Sequence, residues 1–244
     1  MQRYFIELSY NGSSYHGWQI QPNAHTVQAE IESKLSRLYS NEPIKVVGCG
    51  RTDTGVHAHH YILHVDLPMI PDTDQFCAKL NRMLPSSIAI ANVYPVSEEQ
   101  HARFSATART YRYFIHSKKD PFRELSSWYV NYTLDVSKMN EAAKFLLGKQ
   151  DFTSLAKLHT DAMTNNCDVR VAKWVQIDEN SMYFEITADR FLRNMVRATV
   201  GTLIAVGTGK LEPEDLPEIL AAKDRQAAST SVPAHGLYLW KIEY

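Results

Sequence analysis

The order of secondary-structure elements constrains the fold more than any other feature of this sequence, because the same order is predicted twice. Tyr4, Ile6 and Leu8 share one face of residues 3–10, which predicts a strand. Apolar residues recur at helical spacing from Thr26 to Tyr39, which predicts a helix. The other predicted elements of this half are strands at Ile44–Val47 and Tyr61–Val65, a helix carrying Phe76, Leu80 and Leu84 that ends before Pro85, and a strand at Ile88–Val96.

The second half repeats the order with one additional helix. Thr110–His116 alternates as a strand, and Asp135 can cap a helix that runs to Leu147. The polar turn at Asp178–Ser181 predicts a hairpin. The elements that complete this half are hairpin strands at Val171–Ile177 and Met182–Ala188, helices at Phe191–Val206 and Pro213–Ala222, and a final strand at Leu237–Tyr244.

Two consecutive β-α-β-β-α-β units predict an α+β fold. This order is that of the ferredoxin-like, split βαβ arrangement. We expect two such halves that share a large, mostly antiparallel sheet. The boundary should lie near residue 105, with an N-terminal half of residues 1–105 and a C-terminal half of residues 106–244.

Composition excludes several classes of protein. The 244 residues include 26 Lys and Arg against 27 Asp and Glu, for a net charge of −1, so the chain is not a polybasic tail-like binder. The three cysteines are far apart in sequence, which gives neither a zinc ribbon nor a disulfide framework. We expect free thiols and a cytoplasmic location. Glu7 interrupts the apolar start and no long apolar run follows, so we expect no signal peptide and no membrane span.

The segment Gly48–Ala58 is the densest in chemically informative residues. Three glycines within eight residues predict a tightly bent backbone around Arg51 and Asp53. Asp53 stands where a dinucleotide-binding fingerprint would need its third glycine, and the chain has no Gly-Lys-Ser/Thr phosphate loop. A purely structural turn is the alternative, since Asp-x-Gly is common in turns.

Four histidines that follow this loop suggest a metal site, which we consider the weaker hypothesis. On a strand, His57 and His59 would share one face, whereas His60 and His64 would share the other. Since a metal site needs three or four converging ligands, these side chains predict packing roles instead. We therefore expect no metal.

Basic residues are segregated into two stretches despite the neutral total. His101–Arg123 contains six Lys and Arg residues against one Asp, and Arg190–Lys210 contains four with no acid. Aromatic residues are interleaved with both, a combination that suits phosphates and stacked bases and so favours RNA. Arg197 lies among apolar helix neighbours, where a buried arginine needs a partner. Asp53 is the acid without a local explanation, and a pair with Arg197 would keep its carboxylate ionised, as a nucleophile requires.

Six blocks of this sequence, in order, closely resemble those of the tRNA pseudouridine synthase A family. The segment Gly50-Arg51-Thr52-Asp53-Thr54-Gly55-Val56-His57-Ala58 resembles its signature loop. The other blocks are Tyr10–Gln19, His101–Tyr113, Asp151–Ser154, Met195–Gly201 and Gly236–Leu239. Departures from the family pattern include Ile20, His60-Tyr61 and Asn165-Asn166, none of which is a catalytic position.

The resemblance implies an enzyme that isomerises uridine to pseudouridine at nucleotides 38, 39 and 40 of tRNA. It implies a pseudouridine synthase fold, no cofactor, and a homodimer with a basic cleft built from both subunits. Asp53 falls on the catalytic aspartate, Tyr111 on the active-site tyrosine, and Arg197 on the basic partner of the aspartate. Leu237 falls on an apolar pocket residue and Arg51 on an arginine that holds the flipped nucleotide. From the basic stretches we add Arg109, Lys118 and Lys119 as candidate tRNA contacts.

Two other classes of protein are weighed against this interpretation. A non-catalytic RNA-binding protein on the same scaffold would be expected to have lost the acid, but Asp53, Tyr111 and Arg197 are all present. A metal-dependent hydrolase would use the histidine cluster, which a metal assay on the purified protein would test.

Overall fold

A computed structural model describes residues 1–157 and 164–244 of the chain. These residues form two compact units, one of residues 1–107 with Tyr238–Tyr244, and one of Ala108–Leu237. Each unit combines a mostly antiparallel sheet with packed helices, so the α+β class predicted from the element order is confirmed. No helix in the described part of the chain is long and apolar enough to cross a membrane.

The first unit has the strand order of a split βαβ fold. Strand β1 lies between β4 and β3, antiparallel to both, and β2 pairs antiparallel with the far side of β3. Strand β10 also pairs with β3, in parallel, through Tyr238 opposite His57. The elements of this unit are β1 at Gln2–Tyr10, α1 at Val27–Leu38, β2 at Val47–Gly48, β3 at His57–Leu67, α2 at Thr73–Met83, β4 at Ile88–Val96 and β10 at Leu237–Glu243.

Local signals account for the helices of the first unit. The Thr26 hydroxyl accepts the N–H of Ala29, and the Asp72 carboxylate accepts that of Gln75, so each helix begins at a side-chain cap. Val27, Ile31 and Leu35 recur every four residues along α1 and are fully buried. The helix therefore turns one apolar face to the core.

The second unit is built around the hairpin β8–β9. Strand β9 pairs antiparallel with both β5 and β8, and β7 adds to the outer side of β8. Helix α3 packs on β8 and α4. The elements are β5 at Ala108–His116, β6 at Trp128–Tyr129, α3 at Val136–Lys144, β7 at Gly148–Asp151, β8 at Asn166–Asp178, β9 at Ser181–Ala188, α4 at Met195–Gly207 and α5 at Asp215–Ala222.

Several predicted boundaries are wrong for identifiable reasons. The strand predicted at Ile44–Val47 is the two-residue β2, and the strand predicted at Tyr61–Val65 begins at His57, directly after the glycine-rich loop. The helix predicted from Phe191 begins at Met195, because Asn194 has a φ of +66° and breaks the helical path. The final strand was assigned to the second half by its position in sequence, whereas it pairs with β3 of the first unit.

Candidate active site

The loop that carries Asp53 joins β2 to β3 in the first unit. The Val56 N–H donates to the Asp53 carbonyl at 3.1 Å, which closes a turn, and Gly55 within it has a φ of +77°. Asp53 is half-buried, whereas the Arg51 side chain is exposed. The turn thus holds a half-buried aspartate two residues after an exposed arginine.

A second loop, residues 11–18, is hydrogen-bonded to the backbone of the Asp53 loop. The Trp18 N–H donates to the Thr52 carbonyl at 3.2 Å, and the Gly55 N–H donates to the Tyr15 carbonyl at 3.3 Å. The buried hydroxyls of Tyr10 and Thr52 are 2.9 Å apart and hydrogen-bonded. These bonds lie on either side of Asp53 and fix the path of its backbone.

Two glycines permit this close approach of the loops. A Cβ atom at Gly12 would lie 1.9 Å from the Val56 carbonyl oxygen, and one at Gly17 would lie 2.4 Å from the Thr52 oxygen. Gly17 also has a φ of +85°, which L side chains rarely adopt. The Tyr10–Gln19 block therefore shapes the Asp53 loop through backbone contact.

Stacked aromatic side chains pack against the Asp53 loop. Trp18 stacks on Tyr61 with ring centroids 4.1 Å apart, and the Tyr61 hydroxyl donates to the Gly50 carbonyl. Tyr61 is fully buried. Since a buried aromatic cluster resists repacking, the loop rests on a rigid base.

The histidines of β3 have structural partners. The Nδ1 atoms of His57, His60 and His64 each accept a backbone N–H at 3.1 Å, from Gly12, Ile242 and Ala102 respectively. His59 stacks on Trp240 at 4.0 Å. Within residues 1–157 and 164–244, no group of three His, Cys, Asp or Glu side chains could hold a metal ion.

Tyr111 lies on β5 of the second unit, half-buried against Phe191. The two rings meet edge to face, with centroids 5.0 Å apart and an interplanar angle of 82°. Such an edge-to-face contact restricts the rotation of the Tyr111 ring. On the same strand, Arg109 donates to the Asp189 carbonyl at 2.8 Å. The sequence pattern places Phe191 at the start of a predicted helix and does not predict its contact with Tyr111.

Arg197 is half-buried, whereas every other residue of α4 is buried. Its Nε donates to the Val232 carbonyl at 2.8 Å, and the Val232 N–H donates to the Arg197 carbonyl at 3.2 Å. Gly201, one turn later, lets the segment 230–232 approach, because a Cβ there would lie 2.0 Å from the Thr230 oxygen. The segment after Thr230 is thus fixed to the helix around Arg197.

The same segment leads to Leu237, which is 6% exposed. Tyr113 is fully buried and donates to the Pro233 carbonyl at 2.8 Å. Burial raises the pKa of Tyr113, so its hydroxyl stays protonated as a donor. The structure therefore links Arg197, segment 230–237 and β5 within the second unit. The sequence pattern identifies Leu237 but not the contacts of residues 230–233, whose close approach to α4 explains the glycine at position 201.

The basic stretches are partly neutralised. Arg112 forms an ion pair with Glu185 at 2.7 Å, and Arg123 forms one with Asp120 at 3.3 Å. Lys118 and Lys119 are exposed, and Arg193 is exposed in the second stretch. The charge available to a polyanion is therefore smaller than the count of basic residues suggests.

Comparison with known proteins agrees with these features. The sequence matches the tRNA pseudouridine synthase family over residues 8–105 and 142–244. It is 51% identical to the tRNA pseudouridine synthase A of Parabacteroides distasonis, over 100% of this chain and 96% of that protein. It is 49% identical to the tRNA pseudouridine synthase A of Porphyromonas gingivalis, over 100% and 98% of the two chains. Identity to the Bacillus subtilis protein of the same name is 39%, over 97% of each chain. The chain therefore belongs to the tRNA pseudouridine synthase family.

Proposed function

We propose that this enzyme converts uridine to pseudouridine in the anticodon arm of tRNA, at nucleotides 38, 39 and 40, with Asp53 as its essential carboxylate. Membership of the family supports isomerisation of uridine in tRNA. The observation that carries the residue assignment is the Asp53 loop, whose backbone is held on both sides of the aspartate by residues 11–18. The resemblance of the loop to the family signature supports the assignment of the nucleotides.

The chemistry requires one bond to break and one to form at the same sugar carbon. The target uridine first leaves its stack, at a cost of a few kcal/mol. The C1′–N1 bond breaks, the uracil turns within the site, and C5 bonds to C1′. The C5 proton then leaves to a base and N1 takes up a proton, so that the product is an isomer of the substrate. The Asp53 carboxylate supplies negative charge and a nucleophile. Attack at C1′, attack at C6 and proton abstraction are all chemistries open to it.

The other assigned residues support this chemistry. We propose Tyr111 as the ring that packs against the target base and as a candidate acceptor of the C5 proton. Arg197 is proposed as the basic partner of Asp53, Leu237 as an apolar wall that retains the free uracil, and Arg51 as the residue that holds the flipped nucleotide. The family resemblance supports these roles, and the contacts of Tyr111 and Arg197 in the second unit show that both side chains are restrained.

The proposed partner is tRNA, and the proposed assembly is a homodimer with a basic cleft formed by both subunits. Arg109, Lys118 and Lys119 are proposed contacts of the RNA backbone. A tRNA substrate implies a cytoplasmic location. The proposal involves no metal and no organic cofactor.

Pseudouridine mapping on tRNA transcripts after incubation with the purified protein tests the function. We expect modification at nucleotides 38–40 and none elsewhere. Asp53→Asn removes the nucleophile with little change of shape, so single-turnover isomerisation should fall by at least about 10³-fold. Binding of tRNA should stay within about twofold of the wild type, because no phosphate contact is lost.

Asp74→Asn is the matched control, since Asp74 is exposed on the first turn of α2. This variant should retain wild-type activity. Modification at other nucleotides would contradict the assigned position. Substantial activity in Asp53→Asn protein that is free of deamidated material would contradict the assigned nucleophile.

A further inference from the structure

The second unit contains a cavity of about 400 Å³ that the proposed chemistry does not use. Its wall combines apolar side chains with amide, carboxylate and phenol groups. The residues that matter here are Ile115, Met182, Asn131, Tyr132, Glu179 and Asn180. Apolar walls with a few polar groups and a volume of this size are typical of small-ligand sites.

A basic loop borders this cavity. Ser117 lines the cavity and directly precedes Lys118 and Lys119, both of which are exposed. The Ser117 N–H donates to the Asn180 carbonyl at 2.9 Å, which joins the loop to the β8–β9 turn on the opposite wall. Two exposed lysines therefore directly follow a residue of the cavity wall along the chain.

The loop is held in one conformation by its own side chains. The Asp120 carboxylate accepts the Phe122 N–H at 2.9 Å and pairs with Arg123, which also donates to the Ser181 hydroxyl. Because Asp120 forms its ion pair with Arg123, it does not neutralise the charges of the two lysines. The fixed loop presents positive charge without the entropy loss of ordering it on binding.

We propose that this cavity and its lysines bind one unstacked nucleotide of the tRNA, apart from the nucleotide that is isomerised. Tyr132 is 43% exposed, so its ring face can stack on a base. Asn131, Asn180 and Glu179 offer the donors and acceptors that read base edges, and Lys118 with Lys119 offers charge to the adjoining phosphate. This inference rests on the proposed tRNA substrate.

The position of the cavity along β5 separates it from the proposed base contact at Tyr111. Ile115 is the residue nearest to Tyr111 on β5 that lines the cavity, and it lies four residues after Tyr111. At about 3.4 Å per residue the two positions are about 14 Å apart along the strand. A base in this cavity is therefore not the base that packs on Tyr111, and the site acts on tRNA binding rather than on the bond-breaking step.

Affinity for a tRNA transcript, measured beside single-turnover isomerisation at saturating tRNA, tests the proposal. Tyr132→Ala should weaken binding by about tenfold, since the base loses the ring on which it stacks. The rate at saturation should remain that of the wild type. Tyr132→Phe keeps the ring and should bind as the wild type does. Photo-cross-linking should join one tRNA nucleotide to a peptide within residues 117–134.

Tyr244→Ala is the matched control, because Tyr244 is 43% exposed, as Tyr132 is, and does not line the cavity. Asn131→Asp is a second cavity variant in case Tyr132→Ala fails to fold: Asn131 is exposed, and the added negative charge should also weaken binding. Unchanged affinity in these cavity variants, or an equal loss in Tyr244→Ala, would overturn the proposal. If affinity falls as expected but wild-type modification maps elsewhere, the nucleotide site stands and the assigned target position fails.

Discussion

At the scale of single residues, the candidate catalytic group depends on residues that carry no chemistry. Asp53 is positioned through backbone contacts to residues 11–18, and Gly12 and Gly17 make those contacts possible. Sequence reasoning found the aspartate from its glycine-rich loop. It did not find the purpose of the earlier glycines, because the approach of two loops distant in sequence leaves no local pattern.

Gly17→Ala tests this support. The new Cβ would lie 2.4 Å from the Thr52 oxygen at a φ of +85°, so we expect a loss of about 1–3 kcal/mol in stability. The single-turnover rate of isomerisation should fall as well, because a displacement of Thr52 also displaces Asp53, the next residue. Thermal unfolding and single-turnover assays measure both effects. For Gly50→Ala, where a Cβ would meet nothing within 4 Å, stability should be unchanged. Equal stability of Gly17→Ala and wild type would show that the loops can separate freely.

At the scale of elements, sequence predicts those that carry their own signals. Strand β4 was predicted with its observed bounds, and α1 begins after the threonine that caps it. The helix predicted at Phe191–Val206 starts four residues before α4 does. The apolar pattern continues through those four residues, but the positive φ of Asn194 keeps them out of the helix. Strands β6 and β7 were missed, since segments of two and four residues show no periodicity.

Strand β3 gives the protein a specific acid sensitivity. His64 is buried, with Nδ1 accepting the Ala102 N–H, and it faces His101, Arg3 and Asp66. Burial, together with the charges of His101 and Arg3, lowers the pKa of His64 from 6.5 to about 4. The folded state therefore binds fewer protons than the unfolded state between these values, so stability falls as pH falls through this range.

His64→Asn should reduce this dependence. The asparagine oxygen can accept the same N–H but does not titrate. The unfolding free energy that the wild type loses between pH 6.5 and pH 4 should therefore be smaller in the variant, by up to about 3 kcal/mol. Denaturant unfolding at a series of pH values measures it. The exposed His16→Asn variant is the control and should follow the wild type. An unaltered slope in His64→Asn would assign the acid sensitivity to other groups, such as Asp66, whose pKa the Arg3 hydrogen bond lowers.

At the scale of the whole molecule, the sequence pattern predicts the class of the fold and the segregation of charge. The candidate site residues are assigned in two ways, some from their own sequence surroundings and some from the family resemblance. Asp53 stood out by its surroundings in sequence. Tyr111 and Leu237 have no such signature, because an aromatic or a leucine on a strand is ordinarily a core residue. The resemblance to the family was needed to assign them, and the partners of Arg197 in segment 230–237 required the structure.

The chain has a net charge of −1, so its proposed binding of tRNA depends on where its basic residues lie. Binding must use basic residues that are not already neutralised, and each phosphate contact releases counterions, which makes affinity salt-dependent. Lys118 and Lys119 are exposed on one loop, whereas Lys138 pairs with Glu212 at 2.7 Å. Replacing Lys118 and Lys119 together with Ala should weaken tRNA binding and reduce the salt slope by up to about two phosphate contacts. Titrations at several salt concentrations give the slope, and Lys138→Ala should leave it unchanged. If the double variant keeps the wild-type slope, the loop does not contact phosphate and the polyanion is bound through other residues, such as those of Arg190–Lys210.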